Sequence, residues 1–130
     1  MEIVNSIERK IAFEDCQFYT VQNIPSLNEP TKGEWDLRDN VGKYLGDVDF
    51  NECTVLELGP ASGYLTFEIE SRGGEVTSIE LNLAKDKWDV VPLCTHDWKN
   101  EEKEHREQDL QKVQNAYWFA HKAFNSNARV

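Results

Sequence analysis

Apolar residues change their spacing along this chain, and each change marks an element. Ile3, Ile7 and Ile11 stand four apart, with Val4 beside Ile3 and charges between them. That spacing predicts a short amphipathic helix over residues 2–13. Residues 17–31 carry Phe18, Tyr19, Val21 and Ile24 without helical period and then two prolines, which reads as extended chain and loop. Asp36 is a candidate N-cap for a helix running to about Leu45 and closed by Gly46. Residues 54–58 form a short apolar run, predicting a buried strand. Tyr64 with Phe67, and Leu65 with Ile69, then predict a helix over residues 63–72. Gly73-Gly74 stops it, since glycine takes the left-handed cap conformation cheaply. Residues 76–81 read as a second strand. The order strand, turn, helix, turn, strand is a βαβ unit, which gives parallel, right-handed pairs.

The remainder is one irregular stretch and one long helix. Residues 82–99 hold Trp88, Val90, Val91, Pro92 and Trp98 without period. From residue 101 to about 125, Leu110, Val113, Tyr117, Ala120 and Phe124 recur at steps of three and four and make a core-facing stripe. The acidic first turns of this helix suit the positive end of its dipole. Ala128-Arg129-Val130 reads as the opening of a third strand, where the sequence stops.

Composition narrows the class. At 130 residues, the chain is one domain at most. No apolar run approaches the roughly 20 residues of a membrane helix, and the N-terminus has no apolar signal core, so the expectation is a cytoplasmic protein with no membrane partner. The net charge of −10 repels phosphate backbones and argues against nucleic acid as the main partner. Cys16, Cys53 and Cys94 are far apart and show no ligand spacing, so they read as reduced, mostly buried thiols, and no metal site is expected. His96, His105 and His121 share no ligand or triad spacing and read as surface or half-buried residues.

The chemistry concentrates in VLELGPASGYLTFEIESRGGEVTSIEL, residues 55–81. In an open α/β sheet, ligands bind beyond the carboxyl ends of the strands. Glu57 sits at one such end and Glu80 at the next. Gly59 permits a tight turn, and Gly63 lets the helix start lie close to a ligand. A dinucleotide site needs G-x-G-x-x-G so that the backbone can approach a pyrophosphate. Here Pro60 and Ala61 follow Gly59, and Glu57 turns a negative charge toward any diphosphate. S-adenosylmethionine has no phosphate. Its ammonium and sulfonium favour a carboxylate, and its ribose diol suits Glu80. Simpler readings stand beside these: Glu57 as a strand-end carboxylate capping the turn, Ser62 as an N-cap or a cofactor contact, Tyr64 as core packing or a cover over the site.

With the residues in view, the segment resembles the first motif of class I S-adenosylmethionine-dependent methyltransferases. The family pattern, Glu/Asp-x-Gly-x-x-x-Gly after a hydrophobic strand, is met by Glu57, Gly59 and Gly63, and the family's ribose-binding acid falls on Glu80. The resemblance spans about residues 35–130 and leaves residues 1–34 as an N-terminal helix and extended lead-in. It implies a Rossmann-like parallel α/β sheet of the class I methyltransferase type, truncated at the start of the third strand. It also implies S-adenosylmethionine as cofactor, held by Glu57, Gly59, Pro60, Ala61, Ser62, Gly63, Glu80 and Leu81, and a small-molecule methyl acceptor. Trp35, Asp36 and Arg38 would lie near the methionine end of the cofactor, although a surface salt bridge is the ordinary role of Arg38.

The family has a seven-stranded sheet and draws acceptor-binding groups from after the fourth strand. This chain therefore resembles the first half of such a domain. The first strand would then have a bare apolar edge, and bare edges recruit partners, so a homo-oligomer is expected. Two rival readings remain: a non-catalytic, self-associating interaction module, and a nucleotide-cofactor oxidoreductase, which the turn disfavours.

Overall fold

The computed structural model describes residues 10–82 and 99–130. Most of the helix expected over residues 2–13, nearly all of the irregular stretch 82–99, and Cys94 and His96 lie outside the described residues. The first described element is a 3-10 turn at Phe13–Asp15, followed by α1 (Val41–Tyr44), β1 (Thr54–Leu58), α2 (Tyr64–Ser71), β2 (Glu75–Ile79) and α3 (Asn100–Phe124). This is a mixed α/β fold around a two-stranded parallel sheet. Among the described residues, no helix is long and apolar enough to cross a membrane.

β1 and β2 pair in parallel, from Thr54 beside Glu75 to Leu58 beside Ile79. Residues that face each other across the ladder share a side of the sheet. Val55 and Val76, then Glu57 and Ser78, turn toward α2; Thr54, Leu56, Leu58, Thr77 and Ile79 turn the other way. Val76 is 1% exposed, whereas Leu56, Leu58 and Ile79 are 64%, 74% and 51% exposed. The expected strand at residues 54–58 is therefore present but not buried on both sides. A continuous apolar run signals two covered faces, and here the described helices cover one.

β2 ends at Ile79 rather than at residue 81, because the main chain of Leu81 is used elsewhere. Its N–H donates to the Glu80 side chain at 2.8 Å, and its carbonyl accepts from Gln114 Nε2 of α3 at 2.8 Å. On the far side of β2, Arg129 forms a single parallel bridge. Its N–H donates to Val76 O at 3.1 Å, and its carbonyl accepts from Ser78 N at 2.7 Å. The third strand expected at residues 128–130 is thus present as one paired residue, with the Arg129 guanidinium on the Glu75 carboxylate.

α2 starts at Gly63 and stops at Gly73, where φ is +93°. α3 contributes the expected stripe. Tyr117 and Ala120 are buried, Leu110 and Val113 are half-buried, and Phe124 is the exposed end. Phe18, Ile24, Phe67, Ala116, Tyr117 and Ala120 form the larger core cluster, so the extended lead-in joins α2 and α3 directly. A second cluster of Ile69, Val76 and Ala128 lies under the sheet.

Asp36 does not cap a helix. Its Oδ1 accepts the Arg38 N–H two residues on, closing a local Asx turn, and α1 begins only after Asn40. Asp and Asn close such turns readily because the side chain copies a backbone carbonyl. The expected stop at Gly46 is observed, with φ +71°.

His121 corrects the reading of the histidines. It is buried among the rings of Phe67, Tyr117 and Trp118, and its Nε2 lies 2.9 Å from Ala128 O. It ties the end of α3 to the segment that pairs with β2. Cys16 and Cys53 are half-buried and unlinked, and burial with the nearby Asp15 and Glu14 pushes the Cys16 thiol up to about 11.

Candidate functional site at the strand tips

The ladder continues one step past the strands and sets the turn beside Glu80. Gly59 N–H donates to Ile79 O at 2.9 Å, so the residue after β1 lies against the last residue of β2. Glu80 follows immediately. The parallel pair thus brings Gly59 and Glu80 to one end of the sheet, as the sequence pattern requires.

Gly59 has φ +69°, and a Cβ there would meet nothing within 4 Å among the described residues. Only its backbone angle calls for glycine, and the space beyond it is open. Ala61 also has a positive φ, +50°, in a region that non-glycine residues enter at a cost. The turn therefore holds strain at Ala61.

The back of the same turn is packed. Pro60 is buried, and Ser62 is 1% exposed. Ser62 Oγ accepts from Tyr19 N–H at 3.1 Å and from Gln22 Nε2 at 3.3 Å, and its carbonyl accepts from Gln22 Nε2 at 2.8 Å. Gly63 has φ +83°, and a Cβ on it would fall 2.5 Å from the Phe67 ring and 2.8 Å from Tyr117. Ser62 neither caps α2 nor faces outward; it fastens the turn to residues 19–22. The close approach that requires glycine at position 63 is to two aromatic rings of the core. Tyr64 is buried as core packing, and burial pushes its phenol up to about 12.

Glu57 does not reach over the turn. Its Oε2 accepts from Thr66 Oγ1 at 2.5 Å and from Ser78 Oγ at 2.8 Å. α2 supplies one donor, and the β2 residue in register with Glu57 supplies the other. Tyr117 from α3 closes the group. Its hydroxyl lies near Ser78 and Thr66 yet has no hydrogen-bond partner among the described residues, and burial, reinforced by the Glu57 charge, pushes the phenol well above its usual range. Among the described residues the carboxylate is held through one oxygen, Oε2.

Glu80 is half-buried and folds back on its own chain through the Leu81 N–H. Asp36 and Arg38 form a two-point ion pair at 2.8 and 2.7 Å on the surface, with Arg38 Nη1 on Asn23 Oδ1 at 3.0 Å. Those Arg38 hydrogen bonds hold the Asp36 carboxyl down at about 2.

Sequence reasoning passed over Thr66, Ser78, Tyr117 and Gln22. Ser78 had a signal, because it alternates with buried Val76 and stands opposite Glu57 once the strands are paired. Gln22 had none, because its partner Ser62 is 40 positions away.

Compared with protein-family models, with curated proteins and with solved structures, the chain finds no match.

Proposed function

We propose that the tips of β1 and β2 form the donor site of an S-adenosylmethionine-dependent methyltransferase of the class I, Rossmann-like type. The observation that carries this reading is the juxtaposition of Gly59, with open space above it, and Glu80, both held at one end of a parallel pair by the Gly59–Ile79 hydrogen bond. In a parallel α/β sheet this is the end at which ligands bind. The residues fit the cofactor by their charge as well. Two carboxylates flank the turn, Pro60 removes one of the N–H groups a pyrophosphate would use, and no phosphate is present in S-adenosylmethionine.

Each residue has a defined task. Glu57, held by Thr66 and Ser78 beneath the turn, contributes its negative charge to the strand tip, which would favour a cationic ligand there. Glu80, which now accepts the Leu81 N–H, would hold the ribose hydroxyls, and Leu81 borders the same tip. Pro60, Ala61, Ser62 and Gly63 hold the turn, with Ser62 and Gly63 acting from behind through Gln22 and the Phe67 and Tyr117 rings. The cofactor supplies an electrophilic methyl group on a sulfonium. The protein supplies position and orientation, which carry most of the rate in such a displacement. The methyl acceptor is a small molecule.

Isothermal calorimetry with S-adenosylmethionine and S-adenosylhomocysteine tests the reading. Saturable heat at one ligand per chain is expected, and its loss in Glu80→Ala. Folded protein that gives no heat at millimolar ligand contradicts it, and quenching of NADH fluorescence instead assigns the tip to a nicotinamide nucleotide.

A further inference from the structure

The two edges of the sheet are finished differently. On the β2 side, Arg129 takes the main-chain groups of Val76 and Ser78, and its side chain neutralises Glu75. On the β1 side, the alternation of the ladder fixes which groups are free. Cys53 O and Gly59 N bond to β2. Main-chain groups of successive residues turn to opposite sides of a strand, so Val55 and Glu57 also bond to β2, and Thr54, Leu56 and Leu58 turn their N–H and C=O outward. Among the described residues nothing pairs with them.

Strand edges of this kind are usually blunted by a lysine, a proline, a bulge or an inward-pointing charge. β1 has no lysine, proline or bulge along Thr54–Leu58. Its one charge, Glu57, is on the helix-covered face and engaged by Thr66 and Ser78. The side chains on the outward-bonding residues are Thr54, Leu56 and Leu58, with both leucines largely exposed. We propose that this edge pairs antiparallel with the same edge of a second copy of the chain, continuing the sheet across a two-fold axis at Leu56.

Charge selects this occupant. Copies carrying a net charge of −10 repel one another over most of their surface, whereas the one charge of β1, Glu57, is turned to the helix-covered face and hydrogen-bonded by two hydroxyls. In the two-fold register, Leu56 lies beside Leu56 of the second copy, Thr54 beside Leu58, and Glu57 beside Val55. No like charges are opposed, and the exposed leucines become cross-strand neighbours. The inference does not depend on the cofactor reading.

Amide hydrogen exchange of the full chain at low and high protein concentration, with light scattering on the same samples, tests the proposal. The expected result is a dimer at high concentration. The amides of Thr54, Leu56 and Leu58 then slow by about tenfold once nine-tenths of the chain is paired, while those of Val55 and Glu57 do not change. Leu56→Pro, which removes only an outward N–H, and Leu56→Lys both leave a monomer with unchanged circular dichroism; Thr77→Lys, on the open face but bonded inward, leaves the dimer intact. A monomer at every concentration overturns the proposal. So does a dimer broken by Thr77→Lys but not by the Leu56 variants, which means packing through the open face. Protection of Thr54, Leu56 and Leu58 that is complete at low concentration also overturns it, by placing a segment of the same chain on the edge.

Discussion

On one face of the β1–β2 ladder, Val55, Glu57, Val76 and Ser78 meet α2 and α3; on the other, Thr54, Leu56, Leu58 and Ile79 are exposed and Thr77 is half-buried. The strands are the same, and so is their alternation. The covered face carries a polar group, Glu57, and satisfies it with two hydroxyls, while the open face carries the larger aliphatic side chains and leaves them wet. Hydrophobicity read along a strand therefore does not say which face is the core. What decides it is which neighbours the chain supplies, and here Phe67, Ile69 and Tyr117 are all supplied on one side.

Substitution sharpens this contrast most strongly at its centre. Val76→Asp places a charge where no water reaches and is expected to cost more than about 4 kcal/mol, enough to abolish cooperative unfolding. Leu58→Gln on the open face is expected to change stability by no more than about 0.5 kcal/mol in dilute protein. Urea unfolding of both variants checks the pair, and equal losses would remove the distinction between the faces.

The glycines at the turn repeat the contrast. Gly63→Ala must displace the Phe67 and Tyr117 rings and adopt φ +83°, so a loss of about 2–4 kcal/mol is expected. Gly59→Ala meets open space and carries only the left-handed penalty, about 1–2 kcal/mol, with its main effect on ligand binding. Thermal melts separate the two.

Hydroxyls beneath Glu57 come next. Ser78→Ala or Thr66→Val removes a donor to the carboxylate and is expected to cost about 1–3 kcal/mol. Tyr117→Phe removes a buried hydroxyl that has no partner, so it is expected to be neutral or stabilising by up to about 1 kcal/mol at pH 7. The Tyr117 phenol is raised in the folded chain, so it favours folding below its ordinary value near 10 and loses that contribution as pH climbs toward the folded value. Tyr117→Phe should therefore flatten the alkaline limb of a stability–pH curve.

The smallest effect lies at the surface. Asp36 is lowered to about 2 by Arg38, so it stabilises the fold above its ordinary value and loses that contribution as pH falls through 2. Asp36→Asn should soften the acid limb slightly between pH 4 and 2, within what an exposed pair allows.

The sequence made the βαβ order, the parallel pairing, the length of α3 and the pairing of residue 129 legible, because each rests on local period and on glycine stops. The placement of Gly59 and Glu80 at one end of the sheet was legible, since it follows from strand ends alone. The surroundings of Glu57, Ser62 and Gly63 were not. Glu57 and Ser62 are governed by partners 9 to 43 positions away in sequence, as with Thr66 on Glu57 and Tyr19 on Ser62, and Gly63 by the Phe67 and Tyr117 rings. Helical period could not show that Asp36 would close an Asx turn, since aspartate serves as turn former and N-cap by the same hydrogen bond. His121 read as a surface or half-buried residue because polarity was taken without the three rings that surround it.

Backbone amide shifts on titration with S-adenosylhomocysteine test the central claim most directly. The account predicts saturable shifts concentrated at Gly59, Ala61, Glu80 and Leu81, with Leu56 and Leu58 on the open face unmoved. Absence of shifts at millimolar ligand, or shifts that gather away from the strand tips, would contradict it.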